Sequence, residues 1–91
     1  MRDETLKKIL VWMKGREVPG FAPYLWRYDA YGFLINYLAY GDQNSPFGWH
    51  IDHYPVPKSM GGGDDISNLR PLYHGTNTMH GGLLSLAMGG K

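Results

Sequence analysis

Asp52 and His53 set a carboxylate beside an imidazole in a chain of 91 residues that contains no cysteine. Metal-assisted phosphodiester hydrolysis needs two things that this pair supplies: an anionic oxygen ligand and a base that titrates near neutral pH. Taken alone, such a pair is also an ordinary half-exposed strand end. Adjacent residues of a regular strand point to opposite faces, so both reach one site only where the strand breaks. Pro55 and Pro57, which cannot donate to a ladder, supply that break. Downstream, Asn68 and Asn77 are the polar residues with chemistry to offer. Asn68 reads as a turn residue or as a brace bonded to local backbone, and the two readings nearly coincide. Asn77 reads equally as a helix N-cap.

The remaining candidates divide by geometry. A zinc cluster of His50, His53, His74 and His80 fails, because His50 and His53 diverge on a strand. His74 and His80, for their part, are too far apart for one helical face. No structural zinc is therefore expected. His50 faces away from Trp49 and Ile51 and reads as a surface residue. Lys58 and Arg70 are candidate phosphate contacts, although each taken singly is also an ordinary solvated charge.

These residues need elements to hold them. Leu6, Ile9, Leu10 and Met13 recur at helical spacing, which predicts a short amphipathic helix over residues 5–13, ending near Gly15. Pro19, Gly20 and Pro23 mark an irregular passage to Trp26. Residues 31–40 are apolar and aromatic around Gly32 and Asn36, the pattern of a hairpin or paired strands. Residues 41–46 form a turn. Residues 49–54 alternate as a strand with Trp49 and Ile51 on one face. Residues 59–67, with three consecutive glycines and two aspartates, read as a compact loop. Residues 69–73 form a brief second strand that Pro71 weakens. A helix over residues 75–88 is expected despite Gly81 and Gly82. Two strands, a loop between them and one helix make a ββα unit. Trp12, Trp26 and Trp49 are most simply core.

Composition bounds the rest. The length allows one domain near the lower limit for folding without staples. A hydrophobic fraction of 43%, with three Trp, seven Tyr and three Phe, suffices for a modest core. A mean hydropathy of −0.37 with only 19% charged residues argues against disorder. Without cysteines, disulfide frameworks and Cys-ligated zinc ribbons are excluded. The N-terminus is too charged for a signal peptide and the apolar runs too short to span a bilayer, so a soluble, cytoplasmic protein is expected. The net charge of +1 says little about partners. Contact with a phosphate backbone must then be local, with a metal supplying part of the positive charge.

Together, Asp52-His53, Pro57-x-Ser59-x-Gly61-Gly62, Asp64, Asn68-Leu69-x-Pro71-Leu72 and Asn77 resemble the HNH endonuclease pattern. The preceding stretch, Arg27-x-Asp29-x-x-Gly32-x-x-Ile35 and Gly48-Trp49-x-Ile51, is similar to small standalone HNH proteins. The resemblance covers residues 27–80 and is carried by several positions at fixed offsets. Two positions depart from the family. The loop carries one extra residue, at Tyr54-Pro55-Val56, and His80 stands where a phosphate-contacting Lys is usual.

The resemblance implies a small α+β fold with a ββα-metal core flanked by the N-terminal helix and the aromatic hairpin. It makes residues 1–91 one domain, with residues 1–26 as helix and irregular lead-in and residues 27–88 as the HNH-like region. It implies a one-metal endonuclease acting on nucleic acid, double-stranded DNA first. His53 would be the general base, and Asp52 and Asn77 the metal ligands, with His74 a further candidate. Asn68 would brace the loop, and His80, Lys58 and Arg70 would meet phosphate. Oxygen ligands without sulfur favour Mg²⁺, with Mn²⁺ as a substitute. Two alternatives stay open: a catalytically weak HNH-like module that binds nucleic acid, and a structural domain whose aromatic face meets a partner chain. The oligomeric state is not readable from the sequence.

Overall fold

A computed structural model describes residues 2–75 of the chain. They form a small α+β domain with one helix and two antiparallel sheets. The helix α1 spans Arg2–Trp12. A three-stranded sheet follows, built from β1 (Arg16–Glu17), β2 (Trp26–Tyr28) and β3 (Leu34–Asn36) in that spatial order. The second sheet pairs β4 (Trp49–His53) with β5 (Leu69–Tyr73). Among the described residues no helix is long and apolar enough to cross a membrane. Of the helix expected over residues 75–88, all but Gly75 lies outside the described residues.

Three expectations about the elements need correction. The aromatic hairpin turns earlier than its composition suggests: β2 and β3 pair as Trp26↔Asn36, Arg27↔Ile35 and Tyr28↔Leu34. The cause is Asp29, whose Oδ1 accepts from the backbone N–H groups of Tyr31 and Phe33, at 2.9 Å each. Gly32 closes the turn at φ 88°, a left-handed conformation that favours glycine. Residues 37–39 are consequently a 3₁₀ turn capped by Asn36 rather than strand. The lead-in is not wholly irregular, since β1 pairs with β2.

The helix departs most from expectation. Its periodic apolar residues Leu6, Ile9, Leu10 and Met13 are 55%, 39%, 40% and 58% exposed, while Val11 and Trp12 on the other side are buried. Packing, rather than apolar periodicity, chose the inward face. Trp12 is the anchor: its ring lies 4.9 Å from Trp49 and 5.4 Å, edge-on, from Tyr37. Its indole N–H donates to the Pro23 carbonyl at 3.0 Å. Trp12, Ile35 and Trp49 form the core where helix and both sheets meet, with Tyr37, Ile51 and Tyr73 packed against it. Trp26 is only half-buried, edge-on to Phe47 at 5.0 Å.

Among the described residues two charged side chains are buried, and both hold elements together. The Arg27 guanidinium donates to the carbonyls of Pro23, Met13 and Gly15, joining β2 to the end of α1. Asp29 Oδ2 accepts from the Tyr73 N–H at 3.0 Å, tying the three-stranded sheet to β5. Buried charges are tolerated when hydrogen-bonded, and these are.

Candidate active site

The β4–β5 ladder sets the geometry of the site. Asp52 lies opposite Arg70 and His53 opposite Leu69. Strand alternation puts Trp49, Ile51 and His53 on the face that meets α1, and His50 and Asp52 on the other. The two chemical groups of the pair thus stand on opposite faces, at the last two positions of the strand. His53 lines a depression on each side: one with Lys7, Lys8, Lys58 and Asp64, the other with Asp52, Tyr54 and Arg70.

His53 is held by a residue to which the sequence assigned no task of its own. Its Nε2 lies 2.8 Å from Asp64 Oδ1. With Nε2 donating to that carboxylate, Nδ1 carries the lone pair and can accept a proton. The same hydrogen bond is the first cause that holds the Asp64 carboxyl below its ordinary range, and the charge of Lys7 is the next. A signal for Asp64 existed in the sequence, since it follows three glycines in a loop returning toward His53. Only the loop's path shows which of the two aspartates reaches it.

Asn68 spans that loop. Its Nδ2 donates to the carbonyls of Val56 at 2.9 Å and Gly63 at 3.2 Å, and its Oδ1 accepts from the Val56 N–H at 3.0 Å. The Tyr54-Pro55-Val56 segment is thus held at Val56. Gly62 makes the clamp possible: a Cβ there would stand 1.9 Å from the Val56 carbonyl oxygen. Lys14 reaches across from the end of α1 and donates to the carbonyls of Ile66 and Leu69.

Asp52 and Arg70 form an ion pair, Nε to Oδ2 at 2.9 Å, with side chains 23% and 19% exposed. The Arg70 guanidinium also lies 4.0 Å from the Tyr54 ring centroid and 5.4 Å from that of Tyr31. Arg70, expected to meet phosphate, is thus committed to Asp52 and stacked on aromatic rings. Lys58 opens the 3₁₀ turn Lys58–Met60, exposed, on the His53 side. His74 Nε2 lies 3.0 Å from the Ser45 carbonyl oxygen, a backbone contact at the far end of β5 from His53. His50 is half-buried rather than superficial. Burial lowers its pKa, the Asp52 charge opposes this, and His74 adds to it. Asn77 and His80 lie outside the described residues. Lys7 and Lys8 were not among the sequence candidates, because the helix period put the opposite face inward.

Asp52 lies within a depression rather than in the core, where a carboxylate could ligate a hard divalent cation, but its Oδ2 is already engaged by the Arg70 guanidinium. Among the described residues no group of three His, Asp or Glu side chains could hold a metal alone.

Compared with models of protein families, with curated proteins and with solved structures, the chain matches none.

Proposed function

We propose that this protein is an HNH-type endonuclease that hydrolyses phosphodiester bonds in DNA with His53 as general base. One observation carries the reading: the His53 imidazole is oriented through Nε2 by Asp64, at the mouth of two depressions, beside a loop clamped by Asn68. That is the arrangement a base needs, since a fixed ring aims its other nitrogen at one place. Nδ1 takes the proton of the attacking water, and Asp64 stabilises the imidazolium that forms. The loop brace keeps the ring from turning away. Asp52, with Asn77, would hold one Mg²⁺ or Mn²⁺, which when bound offsets the negative charge that grows on the phosphate and the departing oxygen.

The Asp52–Arg70 ion pair favours a second reading, a nucleic-acid-binding module on the same ββα-metal scaffold with weak catalysis. A carboxylate engaged by arginine is a poorer cation ligand.

Conversion of supercoiled plasmid to nicked circle in Mg²⁺ or Mn²⁺ tests the first reading. The expected result is nicking that EDTA stops and that His53→Ala removes. A protein that shifts DNA on a gel in EDTA but never nicks it is the binding module. Nicking by His53→Ala at the parent rate overturns the assignment of the base.

A further inference from the structure

The α1 helix turns its apolar stripe to solvent and two lysines inward. Lys7 and Lys8 are half-buried on the side facing the β4–β5 sheet, while Leu6, Ile9 and Leu10 are left exposed to water. An amphipathic helix in a soluble domain ordinarily does the reverse. The inward lysines open onto a groove of about 410 Å³ that they share with Lys58, His53, Asp64 and Glu4. Three ammonium groups face two carboxylates there, and Asp64 is already bonded to His53. Lys8 is steadied by aromatic rings, its Nζ 4.8 Å from the Tyr40 centroid and 5.2 Å from that of Tyr37. Lys7 from the helix and Lys58 from the loop both act on the Asp64 carboxylate. The groove therefore has cationic walls contributed by two separate elements, with the proposed base in its lining.

We propose that this groove is a track for a phosphodiester backbone, with Lys7 and Lys8 of α1 and Lys58 of the loop as its phosphate contacts. Lysine meets phosphate as a point charge and needs no fixed fork geometry. Among the described residues the fixed cations of the groove are lysines. The inference rests on the nuclease reading for the identity of the polyanion, and it adds that the strand runs along α1 on the Lys7 side.

The test is fluorescence anisotropy of the full chain with a labelled 20-base-pair DNA duplex, in EDTA, across a series of salt concentrations. Binding free of metal and of turnover separates the groove from the chemistry. The wild type is expected to bind, with log K falling linearly against log salt. Each lost phosphate contact removes about 0.9 from that slope, so Lys7→Ala/Lys58→Ala loses roughly 1.8 and binds more weakly. Arg16→Glu, on β1 of the other sheet, removes the same two units of charge as the lysine pair and controls for the change in net charge. Arg16→Glu is expected to keep the wild-type slope, and Lys7→Arg/Lys58→Arg to restore binding. The track is overturned if the wild type fails to bind, or if the lysine variant is impaired no more than Arg16→Glu. Lysine-dependent binding that is tighter for labelled poly-glutamate than for the duplex also overturns it. Lysine-dependent duplex binding by a protein that never nicks plasmid upholds the track and removes only the nuclease reading.

Discussion

At the scale of single residues, the pair His53–Asp64 separates two kinds of loss. His53→Ala takes away the proton acceptor and is expected to lower the rate by about 10²–10⁴-fold. Asp64→Asn leaves the acceptor but loosens its aim, so kcat falls less, up to about 10²-fold. KM should not rise, because one negative charge has left a groove meant for an anion. Steady-state kinetics on a short duplex reads both, and a raised KM at unchanged kcat would give Asp64 a binding role instead. His50 carries a different consequence. Burial lowers its pKa from the ordinary value near 6.5. In the window between the folded value and 6.5 the unfolded chain therefore binds more protons. Stability is fully present above pH 6.5 and is lost as the pH falls through that window. Urea unfolding in EDTA at pH 7.5 and pH 5.5 should show a smaller acid loss in His50→Gln than in the wild type. Equal losses would mean that the half-buried ring takes its proton freely.

At the scale of elements, the loop between β4 and β5 decides whether His53 is held. Gly62 and Gly63 are neighbours in sequence with opposite surroundings. A Cβ at Gly62 would stand 1.9 Å from the Val56 carbonyl oxygen and 2.8 Å from that of Pro57, while nothing lies within 4 Å of one at Gly63. Gly62→Ala must push the backbone apart where Asn68 clamps it, at a cost of about 1–3 kcal/mol. Gly63→Ala is expected to be near neutral. Chemical denaturation gives both costs, and the nicking rate should fall with Gly62→Ala alone. Similar behaviour of the two variants would show that the clamp is not what positions the base.

At the scale of the whole molecule, Asp29 ties the two sheets of the described residues together. Its carboxylate is 4% exposed and accepts from Tyr31, Phe33 and Tyr73. Asp29→Ala leaves the half-buried Tyr73 N–H without its partner, at about 1–3 kcal/mol, and frees to water the N–H groups of the exposed Tyr31 and Phe33. Domains of this size have about 5–15 kcal/mol in total, so Asp29→Ala should melt well below the wild type. Asp29→Asn keeps one carbonyl oxygen and should stay folded with a lowered Tm. Circular dichroism melting distinguishes them. Equal Tm values for Asp29→Ala and the wild type would mean that the sheets cohere without this bond.

The sequence by itself determined the strands that carry Asp52 and His53, the turn over residues 41–46, and the loop with its asparagine. Those features are local: alternation, proline breaks and glycine runs act over a few residues. The break expected from Pro55 and Pro57 comes too late to bring Asp52 and His53 to one face: β4 stays paired through His53, so the two side chains point apart. Only the tertiary structure decided which face of α1 turns inward. The apolar period of Leu6, Ile9 and Leu10 was overridden by one large contact, Trp12 against Trp49 and Tyr37, because burying two indole rings outweighs a stripe of smaller side chains. Only the tertiary structure brought Asp64 to His53, 11 residues away along the chain, or set Arg70 on Asp52 across the ladder. Lys7 and Lys8 reached the groove in the same way. Contacts between distant segments depend on the path of the loop and the rotation of the helix, and neither leaves a periodic mark in the chain.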